Sequence, residues 1–183
     1  MWAAPRFSLR SWDNVMLIDA VRLLLFPAVM AFAASSDLLT MTISNRISLI
    51  LAGGFFALTL ATGMSLTEIG MHVGAAALVL SVAFLFFLRG WVGGGDAKLA
   101  AATALWFGFG HLLNYLIYAS LLGGGLTLLL LQFRQLPLPR MLAQQHWVLR
   151  LHEKDGGIPY GIALAVAALI VYPNTGWMPA GGI

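Results

Sequence analysis

Two acids carry the chemistry that this chain could do. Asp96 follows Gly93, Gly94 and Gly95 at the edge of an apolar stretch, where a carboxylate marks a working site more often than a structural one. Three glycines ahead of it permit positive φ and close approach of another backbone, which leaves the carboxylate reachable. Asp37 is the second acid, at the membrane edge of the polar link Asp37–Arg46. Each has a plainer reading: Asp96 as the N-cap of a helix beginning at Ala97, with the glycines as its loop, and Asp37 as a solvated loop acid.

The elements that must position them are membrane helices. Hydrophobic residues make up 60% of the chain and charged ones only 9%, against about 25% charged in soluble domains, and mean hydropathy is +0.88. Runs able to cross about 30 Å of hydrocarbon predict an all-α polytopic protein of about six helices. They fall near 15–35, 46–63, 69–88, 97–110, 111–132 and 158–173, in a single membrane-embedded domain spanning 1–183 with a loop at about 133–157. The border between the fourth and fifth, around Gly108–His111, is the least defined.

Other chemistries are poorly supplied. The chain has no cysteine, so it offers no disulfide, no thiolate nucleophile and no Cys-ligated metal. His72, His111, His146 and His152 lack the i, i+4 pairing of a zinc-protease helix. We therefore expect no metal and no cofactor. The net charge of +3 comes from scattered loop residues without a basic patch, which argues for lipid headgroups as neighbours and against nucleic acid.

Along the chain, residues 1–14 read as an amphipathic lead-in at headgroup level. The first span carries Asp19 and Arg22, three apart and able to pair, and its length and charges mark it as retained rather than as a cleaved signal. Ser65 or Thr67 can cap the third span, with Glu68 solvated beside it. Gly53–Gly54 and Gly123–Gly125 suit close helix packing. Met141 to Arg150 suggests an interfacial amphipathic helix, broken at Asp155–Gly157 before Pro159 opens the last span. Arg46, Arg89, Lys98, Arg134, Arg140, Arg150 and Lys154 fall on one set of links and only Arg6 and Arg10 on the other. The positive-inside rule then puts Asp37 and Asp96 together on the cytoplasmic face.

With these residues in place, the chain resembles the type IV prepilin peptidases, within the intramembrane aspartyl proteases that carry Gly-x-Gly-Asp. Gly93–Asp96 matches that motif and Ala97–Lys98–Leu99 extends it. The family's first acid precedes an Ile-Pro-Asn; Asp37 with Ile43–Ser44–Asn45 matches except that Ser44 replaces proline. Ile158–Pro159–Tyr160–Gly161–Ile162–Ala163 resembles a stretch in the last helix of the short, Flp-type (tight-adherence) members. The cysteine-bearing insert of the long members, which goes with N-methyltransferase activity, is absent, so methylation is not implied.

The resemblance implies an aspartic endopeptidase of the bacterial inner membrane that removes prepilin leaders at the cytoplasmic face after a Gly. Asp37 and Asp96 would be its catalytic pair, sharing one proton and activating a water. Lys98, Asn45, Pro159, Tyr160, Gly161 and the motif glycines would shape the substrate groove. Implied partners are a prepilin with a basic leader and an apolar helix, membrane lipid and the pilus assembly machinery. Two rivals use the same helices: a scaffold for such machinery, which needs neither acid, and a proton-coupled transporter subunit, which would place acids near mid-span.

Overall fold

In a computed structural model of the chain, which describes residues 9–139, 141–154 and 156–178, every regular element is helical. In order these are α1 (Leu9–Thr40), α2 (Asn45–Thr62), α3 (Leu66–Leu88), α4 (Gly94–Phe133), α5 (His146–His152) and α6 (Tyr160–Val171), with single 3-10 turns at Leu142–Gln144 and Tyr172–Asn174. The lead-in at residues 1–8, Arg140 and Asp155 lie outside the described residues.

α4 is the element around which the others assemble: it packs against α2, α3 and α6, while α1 lies on α2 and α6. From Leu99 to Gly108 every residue of α4 is buried, the signature of a helix enclosed by others on all sides. Ala100, Ala101, Ala102 and Ala104 keep that segment thin, which lets neighbouring backbones approach it closely. The outer faces are the reverse, with Leu49, Leu60 and Leu113 at 70%, 83% and 68% exposure. Apolar surface of that extent is unsuited to water and ordinary in hydrocarbon.

Among the described residues, four helices or helical segments are long and apolar enough to cross a membrane: Met16–Thr40, Asn45–Thr62, Leu66–Leu88 and Gly94–Phe133. That is fewer than the six expected. One of the missing two is α6, whose apolar run is shorter than a span; the other arises at α4, whose 40 residues would stretch about 60 Å if straight, twice the hydrocarbon thickness. Gly108 interrupts it with φ 56° and ψ −172°. The two parts then face each other: the rings of Phe107 and Tyr115 lie 5.4 Å apart, and Asp96 and Gly123 line one cleft. Residues 94–107 and 109–133 are therefore two limbs joined by a glycine turn.

Such a turn strips carbonyls of their partners, because the bonds from residues 105 and 106 to 109 and 110 would have to span it. Both carbonyls are recovered by side chains. His72 Nδ1 donates to Leu105 O at 2.7 Å, which fixes the tautomer, and Trp177 Nε1 donates to Trp106 O at 2.6 Å. His72, which lacks the pairing of a zinc-protease histidine, thus serves to satisfy main chain at the turn.

Helix starts also differ from expectation. α1 runs on to Thr40, so Asp37 lies in its last turn rather than in a solvated link; the hydroxyls of Ser36 and Thr40 fasten the following loop at Thr42. α4 starts at Gly94, with Gly93 at its N-cap, so Asp96 is in the first turn and is not the cap of a helix beginning at Ala97. α3 starts at Leu66, capped by Ser65, whose Oγ accepts from Glu68 N while the Glu68 side chain accepts from Ser65 N. Asp19 and Arg22 pair as expected, at 3.4 Å. Instead of a longer amphipathic helix, the polar connection holds the seven-residue α5, which buries Val148 and Leu151 and exposes Trp147 and Leu149.

Gly108→Ala should destabilise the detergent-solubilised protein by about 1–3 kcal/mol, the usual scale for a side chain forced into such a backbone region. Its Cβ would stand 3.0 Å from the His72 ring, whereas a Cβ at Gly110 meets nothing within 4 Å. Thermal melts of the two variants make the comparison, and equal shifts would show that the turn does not require glycine.

Candidate active site

The site is built where three chain segments meet: the end of α1, the start of α4 and the start of α6. Asp37 is buried, 4% exposed, and its Oδ2 accepts a hydrogen bond from Gly161 N at 2.7 Å. Gly161 is the second residue of α6, whose N-cap position is occupied by Pro159 without a side-chain cap. The first N–H groups of a helix have no partner within it. Asp37 supplies one from another helix, at the positive end of the α6 dipole. The glycine is required by the fit: a Cβ at position 161 would lie 2.7 Å from Asp37 Oδ2 and 2.6 Å from Ile43 Cδ1.

Ile43 ties this end to the motif glycines. A Cβ on Gly95 would stand 3.0 Å from Ile43 Cβ and 3.2 Å from its carbonyl oxygen, so the α1–α2 loop rests directly on the first turn of α4. Ser44 keeps that loop in shape although it stands where the resemblance expects proline. Its φ of −65° is the angle a proline ring would impose, and its Oγ also accepts from Arg46 N at 3.3 Å to cap α2. The substitution retains the backbone and adds a cap.

Asp96 occupies the third helical position of α4 and folds back over Gly93, where a Cβ would lie 2.8 Å from its Oδ2. It is half-buried. It is also the sole carboxylate lining a cleft of about 540 Å³ between α3, both limbs of α4 and α6. The walls are apolar, with Val82, Phe86, Leu116 and Leu164 among them, and Tyr160 and Ser120 add hydroxyls. Among the described residues no group of three or more His, Asp or Glu converges on a metal position. What the arrangement offers is one carboxylate lining an apolar trough, Asp96, and a second, Asp37, held on the first turn of α6.

The remaining expected site residues divide. Tyr160 and Gly161 reach the site and Pro159 starts their helix. Gly94 packs on the Phe87 ring, 3.4 Å from its would-be Cβ. Lys98 and Asn45 do not line the acid cleft: Lys98 Nζ donates to Asn45 Oδ1 at 2.8 Å, and both border a separate groove between α2 and α3. Of the Gly123–Gly125 run, Gly123 takes the close contact, 3.4 Å from the Tyr160 ring, and the other two meet nothing within 4 Å.

Two supports escaped the sequence reading. Thr127 Oγ1 hydrogen-bonds Tyr160 Oη at 3.1 Å, holding the ring over Gly123. Arg134, counted above as a loop cation, is buried at 8% exposure; it donates from Nε to Leu151 O at 2.9 Å and from Nη2 to Gly157 O at 2.7 Å. It thereby pins both ends of the segment leading into α6. Its position at the border of the longest polar connection was the one available signal.

A family model described as the type IV leader peptidase family matches residues 24–128. The match takes in Asp37, Asp96 and the Gly108 turn and stops short of α6. No curated protein and no solved structure matches.

Gly161→Ala should loosen the start of α6. Overpacking of about 1–3 kcal/mol predicts amide exchange across residues 160–163 faster by about tenfold or more. Gly125→Ala, with open space at its Cβ, serves as the control. Unchanged exchange in the alanine variant at 161 would mean that the Asp37 contact is slack.

Proposed function

The chain belongs to the type IV leader peptidase family, a family of membrane proteases, and from that premise we propose that it is an aspartic endopeptidase removing the leader of Flp-like type IV prepilins after a glycine. Asp37 and Asp96 form its catalytic pair. What supports this reading is that Asp37 is fixed by Gly161 N–H at the start of α6 and Asp96 opens on an apolar cleft from the first turn of α4, with Ile43 packed against both Gly161 and Gly95.

Two carboxylates held close in a weakly polar site would share a proton, so that one can take a proton from water while the other polarises the scissile carbonyl. The pair titrates as a unit, and the roles of acid and base belong to it jointly. The cleft walls suit the apolar helix of a prepilin, and Asp96 at the cleft meets the point where that helix has to unwind for cleavage. Prepilins are thus the expected partners, with the pilus machinery beyond them. The scaffold reading needs neither acid, and a proton-coupled transporter subunit would place its acids near mid-span rather than at helix ends.

In the inner membrane, the Gly108 turn would join two crossings and α6 would make a further one, giving six with both acids on the cytoplasmic side. The chain has no cysteine of its own, so single cysteines report cleanly. Thr67→Cys, which spares the Ser65–Glu68 cap, and Gln144→Cys should label from opposite sides of the membrane. Labelling from one side overturns the six-crossing topology.

Asp37→Asn and Asp96→Asn should each reduce cleavage of a co-expressed prepilin from the same genome by about 10³-fold or more. Asparagine can still accept from Gly161 N–H, so insertion and folding should persist. The double variant should be no worse than either single one, because members of a catalytic unit are not additive. Efficient processing by Asp96→Asn, read as a mobility shift, would reduce that residue to helix-start chemistry and favour a scaffold.

A further inference from the structure

The second groove, which the catalytic reading does not use, has the shape and polarity of a lipid site. α2 and α3 are joined by a turn of three residues, 63–65, yet they part company above it. Near the turn they touch through Phe55 and His72, whose rings are 5.3 Å apart. Farther up, a groove of about 580 Å³ opens between them, floored by Ala101 and Ala102 of α4 and walled by Ala52, Leu49, Ala77 and Leu80. It is a wedge, closed at one end and open at the other.

The open end is polar. Lys98 projects there, exposed, with Nζ bonded to Asn45 Oδ1, and it makes no ion pair among the described residues. Ser48, one turn along from Asn45, has a buried Oγ without a hydrogen-bond partner, and it lines the same groove. From Asn45 to Phe56 the groove runs about 16 Å by helical rise, which is half of the roughly 30 Å of hydrocarbon. A transmembrane helix would need the full thickness. One acyl chain needs one leaflet, with its headgroup at the level of Lys98.

We propose that this groove holds an anionic glycerophospholipid of the surrounding bilayer. An acyl chain lies between α2 and α3, the phosphodiester pairs with Lys98, and headgroup oxygens take the remaining donors of Lys98. The site is separate from the acid cleft and does not depend on the catalytic assignment.

The test is native mass spectrometry of the purified full chain in detergent, titrated with phosphatidylglycerol or with phosphatidylcholine of the same chains. One phosphatidylglycerol should bind about fivefold more tightly than phosphatidylcholine, the scale of one lysine at a headgroup. Lys98→Gln should erase that preference. Ala77→Phe, which fills the groove from an exposed position, should weaken both lipids by about tenfold while circular dichroism and thermal melting show an intact fold. Equal binding of the two lipids by the wild type, or an unchanged preference in Lys98→Gln, overturns the headgroup assignment. Unchanged lipid binding in Ala77→Phe, with loss of a crosslink to a second copy or to a prepilin helix, overturns the lipid and makes the groove a helix-docking face.

Discussion

The bond from Gly161 N–H to the Asp37 carboxylate is the contact on which the rest of the structure turns. Within a bilayer every main-chain polar group has to find its partner inside the protein. The first turn of α6 has neither a capping side chain nor, at Pro159, a donor, so a carboxylate from α1 completes it. That requirement places the acid, dictates a glycine where it sits, and draws the α1–α2 loop with Ile43 against Gly95. The same contact makes α6 part of the site although it is the shortest of the apolar helices.

The same rule governs the middle of the molecule. An alanine-rich limb enclosed on every side allows α2, α3 and α6 to gather round it, and the turn at Gly108 sends the chain back so that the second limb can form one wall of the acid cleft. The turn is possible because His72 and Trp177 take over the carbonyls it exposes. Their rings also lie against Phe55 and each other, so the polar repair is carried by side chains that are themselves well-packed core.

Much of this was legible in the residues. Composition settled the helical membrane class, and Gly93–Asp96 and Asp37 fall at the start of α4 and the end of α1, which the α1–α2 loop joins through Ile43 and Gly95. The glycine at 108 marked the uncertain border between two apolar stretches, because a change of direction needs the backbone that only glycine adopts freely. What the residues could not show was long-range pairing. Asp37 looked like a loop acid since nothing local says that its partner is 124 residues away. Arg134 looked like a topological charge, because a cation bound to main-chain carbonyls leaves no acidic counterpart to find. Lys98 and Asn45 border a different groove from Asp96, since helix faces separate residues that the motif keeps side by side.

The repair at the Gly108 turn has a bearing on how the protein is made. A ribosome delivers Trp106 and Gly108 to the membrane well before Trp177, which lies 71 residues beyond the carbonyl it satisfies. During that interval the hairpin of α4 must cross or approach the bilayer with one exposed carbonyl still open to water or to the insertion machinery. The last indole to arrive acts as a latch, and the enclosed limb becomes fully dry only once the chain behind α6 has folded back over it.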